Sequence, residues 1–390
     1  MTRILRDNQV DNIKYSLVEE EIRKEIKKSN EQLNILNYYI QILEFSKGVI
    51  SENLDNTKFT IEDVNKIKTE DEKLNRAKNI YIDFESIGYT KEYLNEGIEQ
   101  YNDFINYHFN IDFNGRTSND NIYDINDTDY GDSNINNIKD SESHSTHVSG
   151  IISGDRNNKK GNKGINNLVE IMALRAIPNG DEYDKDVARA IRYAVDNGAK
   201  IINGSFGKYF SSNPEWVIDA IRYASKKDVL VVAAAGNESK DLDLLSNDNY
   251  PNDQFFNKNE FSDTFIKVGA STINLNENFT AYFSNYGKIN VDIFAPGVDI
   301  YSSVPNDKYK FQDGTSMASP VVSGIASLIM SYFPKLSAKK VKEIILKSGI
   351  DIDLKIGNLG SNKHFREYSK SGKLINAYNA LILASKSKRE

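Results

Sequence analysis

From about residue 150 onward, short runs of β-branched and apolar residues alternate with segments of helical periodicity. Five runs predict strands: LVEIMALRAI (168–177), AKIINGSFG (199–207), DVLVVAAAGN (228–237), FIKVGAS (265–271) and NVDIFAPG (290–297). Between them, the apolar face around Val187–Val195 and the segment NPEWVIDAIRYASKK predict helices. Because strands that alternate with helices form βαβ units, the sequence predicts an α/β fold built on a parallel sheet.

The chain before residue 115 has a different character. Apolar residues recur there in steps of three, four and seven, which predicts a long amphipathic helix with a coiled-coil-like stripe. The stripe consists of Ile22, Ile26, Leu33, Leu36, Ile40 and Leu43. A second helical segment follows Thr60, a plausible N-cap, and a further helix is predicted from Thr90 to about Tyr107. We therefore expect a helical insert or arm over residues 1–115, with a packing or partner-binding role, and a second domain over residues 116–390.

Composition and charge exclude several classes of function. The net charge of −7 disfavours a nucleic-acid or anionic membrane partner, and the absence of cysteine excludes disulfides and thiol catalysis. No apolar run approaches the length of a membrane span, and the start MTRILRDNQVDN lacks the apolar stretch of an export signal.

Residues 117–142 are rich in Asn and Asp, as in SNDNIYDINDTDYGDSNINNIKD. Such a run is typical of a solvated loop. Its alternating carboxylates also match the oxygen ligands that calcium prefers, although the spacing is not that of an EF-hand. A solvated loop is the first expectation, and a structural calcium ion is the alternative; no other cofactor or metal is expected.

Three polar residues lie where a parallel sheet gathers its functional groups, beyond the carboxyl ends of the strands. Ser316 lies at the start of DGTSMASPVVSGIASLIMSYFP (313–334), which is apolar on nearly every face and predicts a buried helix. His144 begins the helical pattern of SESHSTHVSG, and Asn237 ends the strand AAAGN. A serine, a histidine and an amide in one place can act as nucleophile, base and oxyanion donor in acyl transfer.

Each of these residues also has a structural interpretation. Ser316 could be an ordinary N-cap, and Asn237 could be a turn residue after Gly236. The second histidine of the motif, His147, is expected to be a packed helix residue. The remaining histidines, His108 and His364, are expected to have surface or core roles.

The strings HSTHVSG, AAAGN and DGTSMASP resemble the histidine, oxyanion-asparagine and serine motifs of the subtilisin-like serine proteases, in the same order. The resemblance covers roughly residues 105–350. It implies a serine endopeptidase that acts on peptides, with His144 as base, Ser316 as nucleophile and Asn237 as oxyanion donor. It also implies that Ser205, Phe206 and Gly207 pair with an extended peptide substrate. In a bacterial subgroup that this sequence resembles, a helical insert lies between the aspartate and histidine motifs, and complete members are exported.

The aspartate that orients the base in this family has no clear counterpart upstream of His144. Asp83, in NIYIDFESIG, and Asp112, in NYHFNIDFNGR, are candidates, but neither is placed where the family places it. Two further departures are Ser145, where the family has a glycine, and Gly204, where it has a larger apolar residue. We therefore expect an endopeptidase of impaired activity, of which this sequence is an N-terminally truncated form. The alternatives are a pseudoprotease that binds peptides or regulates a partner, and an active enzyme with an unrecognised aspartate.

Overall fold

A computed structural model describes residues 12–113, 115–116, 118–136, 142–177, 182–254, 259–357 and 363–387. These residues form two compact units, one that precedes residue 117 and one that begins at Ser118. That the first unit is an insert stays a prediction.

The first unit is helical. It contains α1 (Asn12–Leu54), α2 (Ile61–Lys66), α3 (Glu72–Ser86), α4 (Lys91–Asp103) and a π-helical turn (Phe104–His108).

Both predicted helix starts in this unit are confirmed. The Thr60 hydroxyl accepts the N–H of Asp63 at 3.3 Å, and the Asp63 carboxylate accepts the N–H of Thr60 at 3.1 Å, so the pair caps α2 reciprocally. The Thr90 hydroxyl accepts the N–H of Tyr93 at 3.2 Å and caps α4. The six residues of the predicted stripe on α1 are all buried or half-buried, because this face of α1 packs against α3 and α4.

The second unit is built on a six-stranded sheet with the order β1–β2–β3–β4–β10–β7. Its strands are β1 (Ile201–Gly204), β2 (Leu230–Ala234), β3 (Phe265–Ser271), β4 (Ile293–Pro296), β7 (Ile350–Asp351) and β10 (Lys373–Leu374). The first four pair in parallel, β10 is parallel to β4, and β7 is antiparallel at the edge. The α/β fold and its mostly parallel sheet are therefore as predicted.

Helices cover both faces of this sheet. They are α6 (Asp184–Asp196), α7 (Pro214–Lys226), α8 (Thr315–Tyr332), α9 (Ala338–Ser348) and α10 (Ala377–Lys386), whereas α5 (His144–Ser153) packs against α8 and the strand Ile300–Val304. Residues of α8, α9 and α10 pack with Leu230 and Val232 in one core, and residues of α6 and α7 pack with Val231 and Ala233 in another. Successive residues of β2 thus enter opposite cores, as the two-residue period of a strand requires.

Two short hairpins complete the unit: β5 (Ile300–Val304) with β6 (Lys308–Gln312), and β8 (Lys355–Ile356) with β9 (Lys363–His364). The β5–β6 hairpin runs directly into the loop that precedes α8. No helix among the described residues combines the length and the apolar character needed to cross a membrane.

One predicted strand is wrong. Residues 168–177 adopt no strand, and four of their apolar side chains remain more than a third exposed: Leu168, Ile171, Met172 and Leu174. No described residue forms a β-ladder with this segment. An apolar run is not sufficient for a strand, because the backbone N–H and C=O groups also need a neighbouring strand to pair with.

Candidate active site

Ser316 is the second residue of α8, and the helix N-cap is Gly314. The interpretation of Ser316 as an N-cap is therefore wrong. Gly314 has φ +150° and ψ 158°, a conformation that is essentially restricted to glycine. This glycine turns the chain so that α8 starts at Thr315 with Ser316 in its first turn, where backbone N–H groups have no partner inside the helix.

Two reciprocal hydrogen bonds hold Ser316 against the residue that follows β1. The Ser316 hydroxyl donates to the carbonyl oxygen of Ser205 at 3.1 Å, and the Ser205 hydroxyl donates to the carbonyl oxygen of Ser316 at 2.9 Å. Pro320 explains the second bond. It lies four residues after Ser316 and has no N–H, so the helix itself cannot satisfy the Ser316 carbonyl.

A polar network extends this anchor into the core. Asn203, on β1, donates from Nδ2 to the Ser205 hydroxyl at 2.9 Å. Its Oδ1 accepts the hydroxyls of Ser319 at 3.0 Å and Ser323 at 2.8 Å, both on α8. Two side chains of α8, the Ser316 carbonyl and the end of β1 are thus joined in one network, which restricts the position of the Ser316 backbone.

Asn237 lies three residues beyond β2, and Thr315 fixes the orientation of its side chain. Asn237 Oδ1 accepts the N–H and the hydroxyl of Thr315, each at 2.9 Å, and the Thr315 hydroxyl accepts the N–H of Gly236 at 3.0 Å. Because the oxygen of the Asn237 amide is occupied in this way, its NH₂ group is the end that remains for another acceptor.

The Asn237 NH₂ group and the Ser316 N–H border the same small space. A Cβ atom built on Gly314 would lie 3.5 Å from Asn237 Nδ2 and 3.5 Å from the Ser316 nitrogen. Glycine leaves this space open to a substrate oxygen. Two donors that converge on one point beside a serine have the geometry of an oxyanion hole.

The candidate base lies on α5. His144 is the first residue of that helix, and it is accessible to solvent although protein surrounds it closely. Burial and the nearby His147 lower its pKa below the ordinary value of 6.5. The positive end of the α5 dipole also disfavours the protonated ring. A lowered pKa favours the neutral ring, which is the state a general base needs.

His147 has the packing role predicted for it. Its ring is fully buried, and Nε2 lies 3.1 Å from the carbonyl oxygen of Lys310 on β6. Burial lowers its pKa, against the opposing effect of this carbonyl. One helical turn therefore carries two histidines in different environments, and only His144 is available to a substrate.

No carboxylate orients His144 among the described residues of its unit: none is within hydrogen-bonding distance of the ring, and the ring makes no hydrogen bond to Ser316. Of the two candidate aspartates, Asp83 lies within α3 of the first unit. Asp112 lies in a turn of the same unit, where its N–H donates to the Asn110 side chain. Whether either completes a catalytic triad stays a prediction.

The segment Ser205–Gly207 follows β1 directly. Ser205 is buried and its hydroxyl is turned toward α8, whereas Gly207 is exposed. Lys208, the next residue, already pairs with Tyr250 through hydrogen bonds of 2.9 and 2.8 Å. Pairing of Ser205, Phe206 and Gly207 with a peptide therefore stays a prediction that concerns their backbone, not the Ser205 side chain.

The structure gives a physical reason for one of the two departures from the family pattern. A Cβ at Gly204 would lie 3.3 Å from the Phe206 ring, so the small residue makes room for that ring. Ser145 is an exposed residue within α5, where the backbone is helical and glycine is not required.

The Asn- and Asp-rich segment forms neither helix nor strand over residues 118–136, whereas 117 and 137–141 lie outside the described residues. Two residues of this segment bind the fully buried Lys185 of α6. Its ammonium lies 2.5 Å from Asp120 Oδ2 and 2.8 Å from the Asn121 carbonyl oxygen. No group of three or more His, Cys, Asp or Glu side chains in the described part of the chain is arranged to hold a metal ion. The calcium site stays a prediction.

Sequence reasoning missed Thr315, Asn203 and Ser319 as parts of the site. A signal in the sequence could have identified them: each is a polar residue within a strand or helix that is otherwise apolar. Buried polar groups need partners, and here the partners are the site residues themselves.

An α/β fold with a serine at a buried helix start and two convergent donors beside it has the parts of a serine hydrolase. The chain belongs to the subtilase family, whose family model matches residues 52–370.

Named relatives agree with this membership. The thermophilic serine proteinase of Bacillus sp. (strain AK1) is 36% identical over 261 residues, which are 66% of this chain and 55% of that protein. Thermitase of Thermoactinomyces vulgaris is 36% identical over 189 residues, 48% of this chain and 61% of thermitase. The chain thus spans roughly half of the first relative's length.

Among solved structures, the epidermin leader peptide processing serine protease of Staphylococcus aureus is similar at a TM-score of 0.51 and 24% identity. The match covers 63% of this chain and 64% of that one. This similarity concerns the fold alone.

Proposed function

We propose that this chain is a serine endopeptidase in which Ser316 is the nucleophile and His144 the base. Asn237 Nδ2 and the Ser316 N–H donate to the oxyanion. The observation that carries the proposal is the space beside Gly314, which both donors border at 3.5 Å from one point. The substrate class is an extended peptide or protein segment, as membership of the subtilase family implies.

In this mechanism the Ser316 hydroxyl first leaves the Ser205 carbonyl by rotation about its side-chain bond and turns to the His144 ring. The oxygen attacks the peptide carbonyl carbon while His144 takes the proton, and the carbonyl oxygen becomes an anion held by the two donors. His144 then protonates the leaving amine as the C–N bond breaks, which leaves an acyl-enzyme. Water, activated by the same histidine, hydrolyses the ester and restores Ser316.

The proposed enzyme is slow as it stands, because nothing described orients its base. In a triad the carboxylate fixes the tautomer of the histidine and stabilises the imidazolium. Loss of this aspartate alone lowers turnover by ~3 × 10⁴ in subtilisin, a magnitude that we carry over from that enzyme rather than derive. We propose that full activity requires a carboxylate from outside the described residues, on a segment preceding α1 in a longer form of the protein.

The test compares turnover of a chromogenic tetrapeptide by this chain and by a version extended upstream through an aspartate-bearing strand. A gain of about four orders of magnitude is expected on extension. Equal rates would overturn the requirement and would direct attention to Asp83 and Asp112, whose replacement by asparagine then becomes the decisive measurement.

A pseudoprotease is the second candidate. Two observations favour it: the His144 ring makes no hydrogen bond to a described residue, and the Ser316 hydroxyl donates to the Ser205 carbonyl. A fluorophosphonate probe separates the two functions, because it reacts with an activated serine without requiring release of a peptide. Labelling that disappears in Ser316→Ala supports the enzyme. Tight peptide binding without labelling supports the pseudoprotease.

A further inference from the structure

Asn285 is a fully buried asparagine in the loop between β3 and β4, and it contacts the chain on both sides of Asn237. Its backbone N–H donates to the carbonyl oxygen of Gly236 at 3.0 Å, and its Nδ2 donates to the carbonyl oxygen of Ala235 at 2.8 Å. Both of these acceptors precede Asn237 in the chain.

Beyond Asn237, the same side chain acts as an acceptor. Asn285 Oδ1 accepts the N–H of Glu238 at 3.2 Å and that of Lys240 at 2.8 Å. One amide thus uses both its donor and its acceptor ends on a single turn, and Asn237 is the residue enclosed between them.

Two neighbours show that the fit around Asn285 is close. A Cβ at Gly236, whose φ is +99°, would lie 2.4 Å from Asn285 Nδ2, so only glycine permits this approach. The Tyr209 hydroxyl accepts from Asn285 Nδ2 at 2.5 Å and donates to the Glu238 carboxylate.

This support matters because Asn237 itself is exposed. Thr315 orients the Asn237 amide through two hydrogen bonds, but these bonds fix only the end of the side chain. The backbone from which the side chain extends depends on the turn, and an oxyanion donor acts only when it lies about 3 Å from the developing charge. A displacement of about 1 Å at such a site can cost two orders of magnitude in rate.

We infer that Asn285 is a positioning residue of the oxyanion hole, which holds the Ala235–Lys240 turn so that the Asn237 amide faces the Ser316 nitrogen. This inference rests on the proposed function and adds to it a residue that touches neither substrate nor nucleophile. Asn290 offers a matched control. It is also a buried asparagine of the β3–β4 loop. It donates to the Leu242 carbonyl and the Asp243 carboxylate, so it holds the chain after β2 at a point beyond the Ala235–Lys240 turn.

The first experiment measures the rate of Ser316 labelling by a fluorophosphonate in wild type, Asn285→Ala and Asn290→Ala. Attack on phosphorus places negative charge on an oxygen that the oxyanion hole must receive. We expect Asn285→Ala to label about 10- to 100-fold more slowly and Asn290→Ala to stay within about twofold of wild type. Equal slowing in the two variants would overturn the inference, since it would reflect general loss of packing.

A double-mutant cycle with Asn237→Ala distinguishes positioning from a merely structural role. If Asn285 acts through Asn237, then Asn285→Ala has little further effect once Asn237 is alanine, and the double variant labels within about twofold of Asn237→Ala. If the two effects multiply, Asn285 does not act through Asn237.

Amide hydrogen exchange tests the inference without any activity. Residues 235–240 should lose protection in Asn285→Ala and keep it in Asn290→Ala. Unchanged protection overturns the positioning role. Failure of wild type to label overturns the proposed function instead, and the exchange result then decides the role of Asn285 by itself. If Asn285→Ala does not fold, Tyr209→Phe removes one bond of the same cluster, and we expect a smaller loss of protection in the same residues.

Discussion

The two halves of the candidate site, the nucleophile side and the base side, differ in how many hydrogen bonds hold their functional groups in place. On the nucleophile side, Gly314, Thr315 and Ser316 are fixed by the helix, by Ser205 and by Asn237, with every bond between 2.9 and 3.1 Å. On the base side, the His144 ring makes no hydrogen bond to any described residue.

This difference shows that the core of the second unit fixes the positions of the candidate nucleophile and oxyanion donors, but it does not fix the orientation of the candidate base. The nucleophile half is attached to β1, β2 and the buried helix α8, so it forms whenever the sheet forms. The base is attached only to α5, and orientation of its ring requires a further group. Because a histidine without an orienting partner can adopt either tautomer, we expect the base side to limit the rate of the proposed enzyme.

The largest effect is expected at the nucleophile. Replacing Ser316 by alanine removes the attacking oxygen, and fluorophosphonate labelling should fall to background. Mass spectrometry of the labelled peptide is the measurement. Ser331→Ala, a serine of the same helix that bonds Ser327 and Asn166, is the matched control and should label normally. Labelling that survives in Ser316→Ala would remove Ser316 from its role.

The two histidines of α5 should separate activity from stability. His144→Ala removes the base and should slow labelling by at least about 100-fold with a melting temperature close to that of wild type. His147→Ala removes a buried ring with a backbone partner, so it should lower the melting temperature clearly. The reverse pattern, with His147 controlling the rate and His144 the stability, would show that the base has been assigned to the wrong histidine.

A methyl group added to the oxyanion space should harm the nucleophile half directly. In Gly314→Ala the new Cβ lies 3.5 Å from both donors, and the backbone must keep a conformation that alanine disfavours. We expect labelling to fall about 10- to 100-fold, because this space must receive the oxyanion. Gly198→Ala, at a glycine with φ +87° and open space around it, is the control for backbone strain and should leave labelling unchanged. Equal rates for Gly314→Ala and wild type would show that the oxyanion does not bind there.

The pH dependence of labelling tests the state of the base. A neutral imidazole accepts the proton, and the pKa of His144 is lowered, so labelling should rise with pH and reach its plateau below the pH at which an ordinary histidine, with a pKa of 6.5, would. A midpoint above 6.5 would contradict the lowered pKa. His147→Gln should keep a single-step profile if His144 alone is the base, with a somewhat higher midpoint, because His147 is one of the two causes that lower the His144 pKa.

The smallest effect concerns stability. The pKa of His147 is lowered in the folded protein, so the unfolded chain binds more protons below pH 6.5, and folding stability falls as pH falls through this range. Asp253 contributes with the opposite sign: burial raises its pKa to about 7, so its share of stability rises as pH falls from 7 toward 4. The informative quantity is therefore the difference in melting temperature between wild type and His147→Gln. It should shrink as pH is lowered from about 7.5 to about 5.5, and a constant difference would contradict the lowered pKa.

Local patterns determined much of this protein. The capped helices after Thr60 and Thr90, four strands of the sheet and the buried helix at residue 315 all follow from periodicity, capping residues and apolar runs. These signals suffice because each reports a local preference that the final packing also satisfies.

Tertiary structure decided what local patterns cannot contain, namely the partners of polar groups and of strands. Residues 168–177 have a strand's composition but no described neighbour to pair with, so they form none. The predicted pairing of Ser205 with a substrate concerns its backbone, and nothing in the local sequence shows that its hydroxyl donates to the carbonyl of Ser316, 111 positions further along the chain. Asn285 and Asn290 are chemically identical in sequence, and only the fold places the first around Asn237 and the second around Leu242. Hydrogen bonds are short and directional, so their partners are chosen by atomic positions that exist only once the chain has folded.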